Sequence, residues 1–85
     1  MIAGIVHDET GVPLEGVRVY FTQAPVAVPD VAALTGADGR FALAVPAHGL
    51  YALGCSAEGF ATVRRTVFVA GDDEVVDIVL GQTGQ

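Results

Sequence analysis

The side chains that could do chemistry are few in this chain of 85 residues: two histidines, His7 and His48, two tyrosines, Tyr20 and Tyr51, and one cysteine, Cys55. Two imidazoles with two phenols invite a metal site. The four are spread over separate strands and turns without paired ligand spacing, so surface histidines and packing tyrosines are expected instead. Ser56 has no His or Asp at a telling position, and a serine nucleophile needs both a base and an orienting group. Asp8-Glu9 and Asp72-Asp73-Glu74 could offer oxygens to calcium, but they lack a regular calcium-loop spacing and read as solvated acidic turns. Cys55 alternates in phase with Leu53, which marks a buried core thiol rather than a reactive one. Arg64-Arg65 is a small cationic spot, for which a salt partner on a neighbouring strand is expected. Catalytic, cofactor-binding and metal-ligating residues are therefore assigned to none.

Charge narrows the partners. Ten acidic side chains against four arginines and no lysine give a formal charge of −6. Nucleic acid is excluded as a general partner, because phosphate-backbone affinity needs many cationic contacts. An anionic membrane surface is disfavoured for the same reason. No apolar run approaches the ~20 residues of a membrane span, so direct membrane insertion is not expected. The start, Met1 to Gly4, lacks the basic flank and apolar run of a signal peptide. A strand pattern begins already at Ile2, which suggests a module cut from a longer chain. One cysteine forms no internal disulfide and leaves the compartment open.

The elements that must position these groups follow from the apolar pattern. Apolar residues make up 52% of the chain, enough for one packed core. They recur with period two, and turn signals interrupt them about every ten residues. Seven strands are predicted, over 2–7, 17–22, 32–35, 40–45, 51–57, 62–69 and 75–80. Strict alternation, as in Val17, Val19 and Phe21 against Arg18, Tyr20 and Thr22, marks a sheet buried on one side. Pro25 and Pro29 discourage a central strand in the long stretch between. Asp38-Gly39 reads as a tight hairpin turn. No helix of normal length fits. The fold class is all-β, a seven-stranded β-sandwich or a small barrel, with one domain over 1–81 and a flexible tail over 82–85.

Five segments carry a resemblance when taken in order. They are Ile2-Ala3-Gly4-Ile5-Val6-His7-Asp8; Gly11-Val12-Pro13-Leu14-Glu15-Gly16-Val17-Arg18-Val19; Thr35-Gly36-Ala37-Asp38-Gly39-Arg40-Phe41; Pro46-Ala47-His48-Gly49-Leu50-Tyr51-Ala52-Leu53; and Ser56-Ala57-Glu58-Gly59-Phe60. Together they resemble the carboxypeptidase regulatory-like domain family over nearly the whole chain. The resemblance implies a transthyretin-like (prealbumin-like) Greek-key β-sandwich and a non-catalytic role beside another domain. In this frame Gly4 is small at an inward position and lets the facing sheet approach, Asp38 accepts amides of its turn, and Tyr51 buries its ring and sends its hydroxyl to a loop carbonyl. Related sandwiches that do chemistry differ. Some intradiol dioxygenases hold iron with two His and two Tyr, and hydroxyisourate hydrolases end in Tyr-Arg-Gly-Ser, whereas this chain ends in Gly81-Gln82-Thr83-Gly84-Gln85. Collagen-adhesin B-type domains need a lysine for their isopeptide bond, and there is none here.

Apolar residues in outward phase are the remaining signal. Ile5, Tyr20, Ala42, Ala44 and Val79, with Val26 and Val28 from the long loop, are candidates for an interaction surface. The alternative is a loop that folds back and covers it. The expected function is an accessory module that stabilises or positions a neighbouring domain, or contacts a second copy. Carbohydrate binding is the alternative, with Tyr20, Phe60 and Phe68 as stacking rings and without Trp against it. A small metal-dependent or hydrolytic enzyme is the third reading. No cofactor is expected. The resemblance implies a secreted or cell-envelope setting as part of a larger protein.

Overall fold

Ile2, Gly4 and Val6 alternate with Ala3, Ile5 and His7, and this period gives the first strand, β1, Ile2–Asp8. The same pattern yields β2, Arg18–Gln23; β3, Ala33–Leu34; β4, Arg40–Leu43; β5, Gly49–Ser56; β6, Val63–Val69; and β7, Glu74–Leu80. These come from a computed structural model of the protein, which describes residues 1–28, 32–71 and 73–82. All seven expected strands are present in order, with ends displaced by at most two residues. The described residues contain no helix.

The strands form two sheets, β4-β1-β7 and β3-β2-β5-β6. β1 runs antiparallel to β4 and parallel to β7, from Ile2 opposite Glu74 to Asp8 opposite Leu80. The chain crosses between sheets four times, from β1 to β2, β3 to β4, β4 to β5 and β6 to β7, and the strands come close at the β3–β4 and β6–β7 edges. Around the sandwich the order is thus β7-β1-β4-β3-β2-β5-β6, a Greek key. The Asp38-Gly39 turn is a corner between the sheets rather than the expected hairpin. Its geometry is nonetheless the expected one: Gly39 has φ +77°, and Arg40 N donates to Asp38 Oδ1 at 3.1 Å.

Aliphatic side chains fill the space between the layers. Ile2, Val6, Phe41, Leu43, Ile78 and Leu80 come from the three-stranded sheet; Val19, Tyr51, Leu53, Cys55, Val67 and Val69 come from the other. Phe21 is half-buried and tilts against Tyr51, with ring centres 5.2 Å apart. Gly4 is buried, but the close approach is within its own sheet: a Cβ there would meet the Val76 carbonyl oxygen and lie 2.8 Å from the Phe41 ring. The smallness of Gly4 lets Phe41 lie across β1. Thr35, 3% exposed, ties the end of β3 to the approach to β2: its Oγ1 accepts from Val17 N at 2.9 Å and donates to Leu14 O at 2.6 Å.

Pairing continues past the expected domain limit at 81. Ala61 N donates to Gly81 O at 2.9 Å, and Gln82 bridges to Phe60, so Gln82 belongs to the paired structure. The rest of the expected tail, 83–85, lies outside the described residues, as do Pro29, Val31 and Asp72.

Candidate functional site

The groups that could do chemistry are held apart. His7 lies near the end of β1 on the outer face of the three-stranded sheet, where its Nε2 lies 3.0 Å from Asp77 Oδ1 and its Nδ1 3.0 Å from the Asp8 carbonyl oxygen. Both ring nitrogens face acceptors, and only the imidazolium can donate to both. The Asp8 carbonyl and the Asp77 carboxylate accordingly raise the His7 pKa above the usual 6.5. Asp8 turns its carboxylate onto its own loop, accepting from Thr10 Oγ1 at 2.7 Å, Thr10 N at 2.9 Å and Val12 N at 3.0 Å. Those bonds, the Thr10 hydroxyl foremost, hold its pKa below the usual value. His48 sits exposed in the turn between β4 and β5, on the rim of an open depression of about 430 Å³ beside Pro46 and Gly71. Tyr51 points into the core, and its hydroxyl donates to Ala47 O at 2.6 Å, as its sequence context implied. Tyr20 lies on the outer side of that same sheet. The structure therefore does not bring the two histidines and two tyrosines together. Cys55 is fully buried, and burial pushes its thiol up to about 11, against a partial pull downward from Arg65. Its thiolate fraction at neutral pH is thus about a hundredfold below that of an open thiol.

Two flat outer faces remain. On the three-stranded sheet, Ala3 lies between Ala42 and Val75, and Ile5 between Arg40 and Asp77. His7 and Val79 form the next row. Val75 is 82% exposed. The charges on this face are matched locally. Arg40 Nε is 3.4 Å from Asp38 Oδ2, and His7 meets Asp77.

On the four-stranded sheet the rows read Leu34, Arg18 and Ser56; then Tyr20, Gly54 and Arg64; then Ala52 and Thr66; then Leu50 and Phe68. The Tyr20 ring lies over Gly54, where an added Cβ would sit 2.5 Å from its edge. That ring explains why Gly54, though in outward phase, is buried. Arg64 Nη2 donates to Thr22 Oγ1 at 3.3 Å, reaching across β5. Arg65 takes the inward phase at the sandwich edge and donates through Nη1 to the Asp77 carbonyl oxygen at 2.7 Å. The expected carboxylate partner for Arg64-Arg65 is thus replaced by a hydroxyl and a carbonyl among the described residues. Leu34, Leu50 and Phe68 are 64%, 55% and 62% exposed. No Asp or Glu occurs in β2, β3, β5 or β6.

The seven residues expected as one interaction surface divide among three places. Ile5, Ala42 and Val79 share the outer face of the three-stranded sheet, with exposed Ala44 just beyond β4. Tyr20 is on the opposite side of the sandwich. Val26 is exposed in the long loop, whereas Val28, with Ala24, packs on the core. Their shared outward phase could not tell one sheet from the other. Phe60, expected as a stacking ring, packs against the core instead, while Phe68 is open. Leu50 was missed as a surface residue, although parity with inward Tyr51 and Leu53 places it outside.

Similar proteins give the fold its context. One solved chain, from a C-terminal interface mutant of a type II cohesin–X-dockerin complex of Acetivibrio cellulolyticus, superposes with a TM-score of 0.71 at 16% identity. The likeness covers 93% of this chain and 55% of that one, so this chain spans about half its length. Among curated proteins none matches. The model of the carboxypeptidase regulatory-like domain matches residues 1–81, and with two sheets, seven strands and the Tyr51 corner already in place, the chain belongs to the carboxypeptidase regulatory-like domain family.

Proposed function

We propose that this domain is a non-catalytic accessory module that works by contact, stabilising or positioning a neighbouring domain or binding another protein. One observation carries the reading. Large apolar side chains stand open on two flat sheet faces, while the groups able to do chemistry are dispersed or occupied. Flat exposed apolar area is what protein partners cover. Family membership agrees, and the similar solved chain comes from an assembly of modules. Ile5, Ala42, Ala44, Val75 and Val79 form the proposed contact on one side, and Tyr20, Leu50 and Phe68 on the other; Val26 extends it from the loop. The setting proposed is a secreted or cell-envelope protein, as the family resemblance implies.

The test is to place a photo-crosslinking amino acid at Val75 or Phe68 in the producing cell. A reproducible adduct with one protein segment, which then binds the purified domain at micromolar level, is the expected result. Micromolar binding of a defined glycan on an array, without a protein adduct at either position, would replace this reading with the carbohydrate one.

A further inference from the structure

Charge is segregated in this molecule in a way its composition hides. Three of the four arginines, Arg18, Arg64 and Arg65, lie on β2 and β6, and the strands of their sheet contain no carboxylate. Among the described residues, every acidic side chain lies on β1, on β7 or in a connecting segment. Among the described residues Arg64 finds only the neutral Thr22 hydroxyl on its own face, and the Arg18 side chain has no hydrogen-bond or ionic partner. The fourth, Arg40, already has Asp38. The outer face of the four-stranded sheet thus presents Arg18 and Arg64 with no carboxylate on its strands, in a chain of formal charge −6.

The apolar residues of this face are arranged about those cations. Leu34 flanks Arg18 at one end, and the Leu50–Phe68 pair stands at the other. From the row of Ser56 to that of Leu50 the face runs about 20 Å along the strands. We infer that this face docks a protein segment bearing carboxylates between apolar side chains, with Arg18 and Arg64 reading the carboxylates and Leu34, Leu50 and Phe68 the apolar ends. The inference rests on the contact role proposed above and names the partner's chemistry. A second copy of this chain is the poorer occupant. Its other flat face carries one outward strand carboxylate, Asp77, which is already taken by His7.

The experiment maps amide chemical shifts of the domain against two synthetic peptides of equal length. In one, Val and Phe alternate with Glu; in the other, with Lys. The Glu peptide shifts amides of β2, β5 and β6 saturably, and its binding weakens with added salt. The double variant Arg18→Glu/Arg64→Glu weakens it about tenfold. Should that variant fail to fold, Arg18→Gln and Arg64→Gln singly each weaken it about threefold. Equal or tighter binding of the Lys peptide, shifts confined to β1, β4 and β7, or indifference to the arginine variants would overturn the inference. So would shifts on this face that grow with protein concentration alone, which reveal a second copy. Failure here alongside a protein adduct at Val75 or Phe68 removes the acidic occupant and leaves the contact role. Failure in both removes both.

Discussion

The two outer faces are built from the same alternating strands and yet present different physics. On the three-stranded sheet the rows are small or branched, and each charge has an opposite neighbour: Arg40 with Asp38 and His7 with Asp77. On the four-stranded sheet the rows carry rings and long aliphatics, and among the described residues Arg64 and Arg65 reach neutral oxygens. Exposed ion pairs contribute little to stability, so local neutrality here is a matter of surface potential more than of folding. The lesson is that a sheet's outer face can be tuned independently of the core, because period two puts its side chains on a separate set of positions.

Two glycines sharpen this contrast most strongly. A Cβ on Gly4 would meet a backbone carbonyl and the buried Phe41 ring, neither of which can retreat. Gly4→Ala should cost about 3 kcal/mol in denaturant unfolding. A Cβ on Gly54 would meet only the Tyr20 ring, which can swing toward solvent. Gly54→Ala should cost about 1 kcal/mol or less and displace Tyr20. Equal costs would mean that the outer face is as rigidly packed as the core.

The His7–Asp77 pair gives a smaller effect with a defined sign. The folded-state pKa of His7 is raised, so its contribution is fully present below 6.5 and is lost as pH rises through the folded value. Asp77→Asn should therefore lower the unfolding midpoint at pH 6 and have little effect at pH 9. A deficit of the same size at both pH values would show that Asp77 acts by some route other than the imidazolium. Least of all should change with Arg18→Glu. Its side chain is exposed on the four-stranded face, and stability should stay within about 0.5 kcal/mol in thermal melts. A larger loss would mean that Arg18 supports the fold rather than the surface.

Much of this was legible in the sequence, and the limit has a physical cause. Alternation fixed the strands and the inward set, including Phe41, Tyr51, Leu53 and Cys55, because side-chain phase is a local property. The Tyr51 hydroxyl bond to Ala47 spans four residues and could be anticipated. Which outward residues share a face depends on pairing between distant segments, such as β1 beside β7, and phase is silent on that. Ile5 and Tyr20 were grouped by phase and are parted by the thickness of the sandwich. The place of Arg65 followed similarly. Its phase is inward, but only the β6–β7 crossing shows a carbonyl within reach.

The central claim, that one face is cationic while the chain as a whole is acidic, is open to direct measurement. Paramagnetic relaxation of backbone amides by two nitroxide cosolutes, one anionic and one cationic, reports the local surface potential. The anionic probe should be enriched over amides of β2, β5 and β6 relative to those of β1, β4 and β7. A ratio that is the same over both sheets, following net charge alone, would contradict the account.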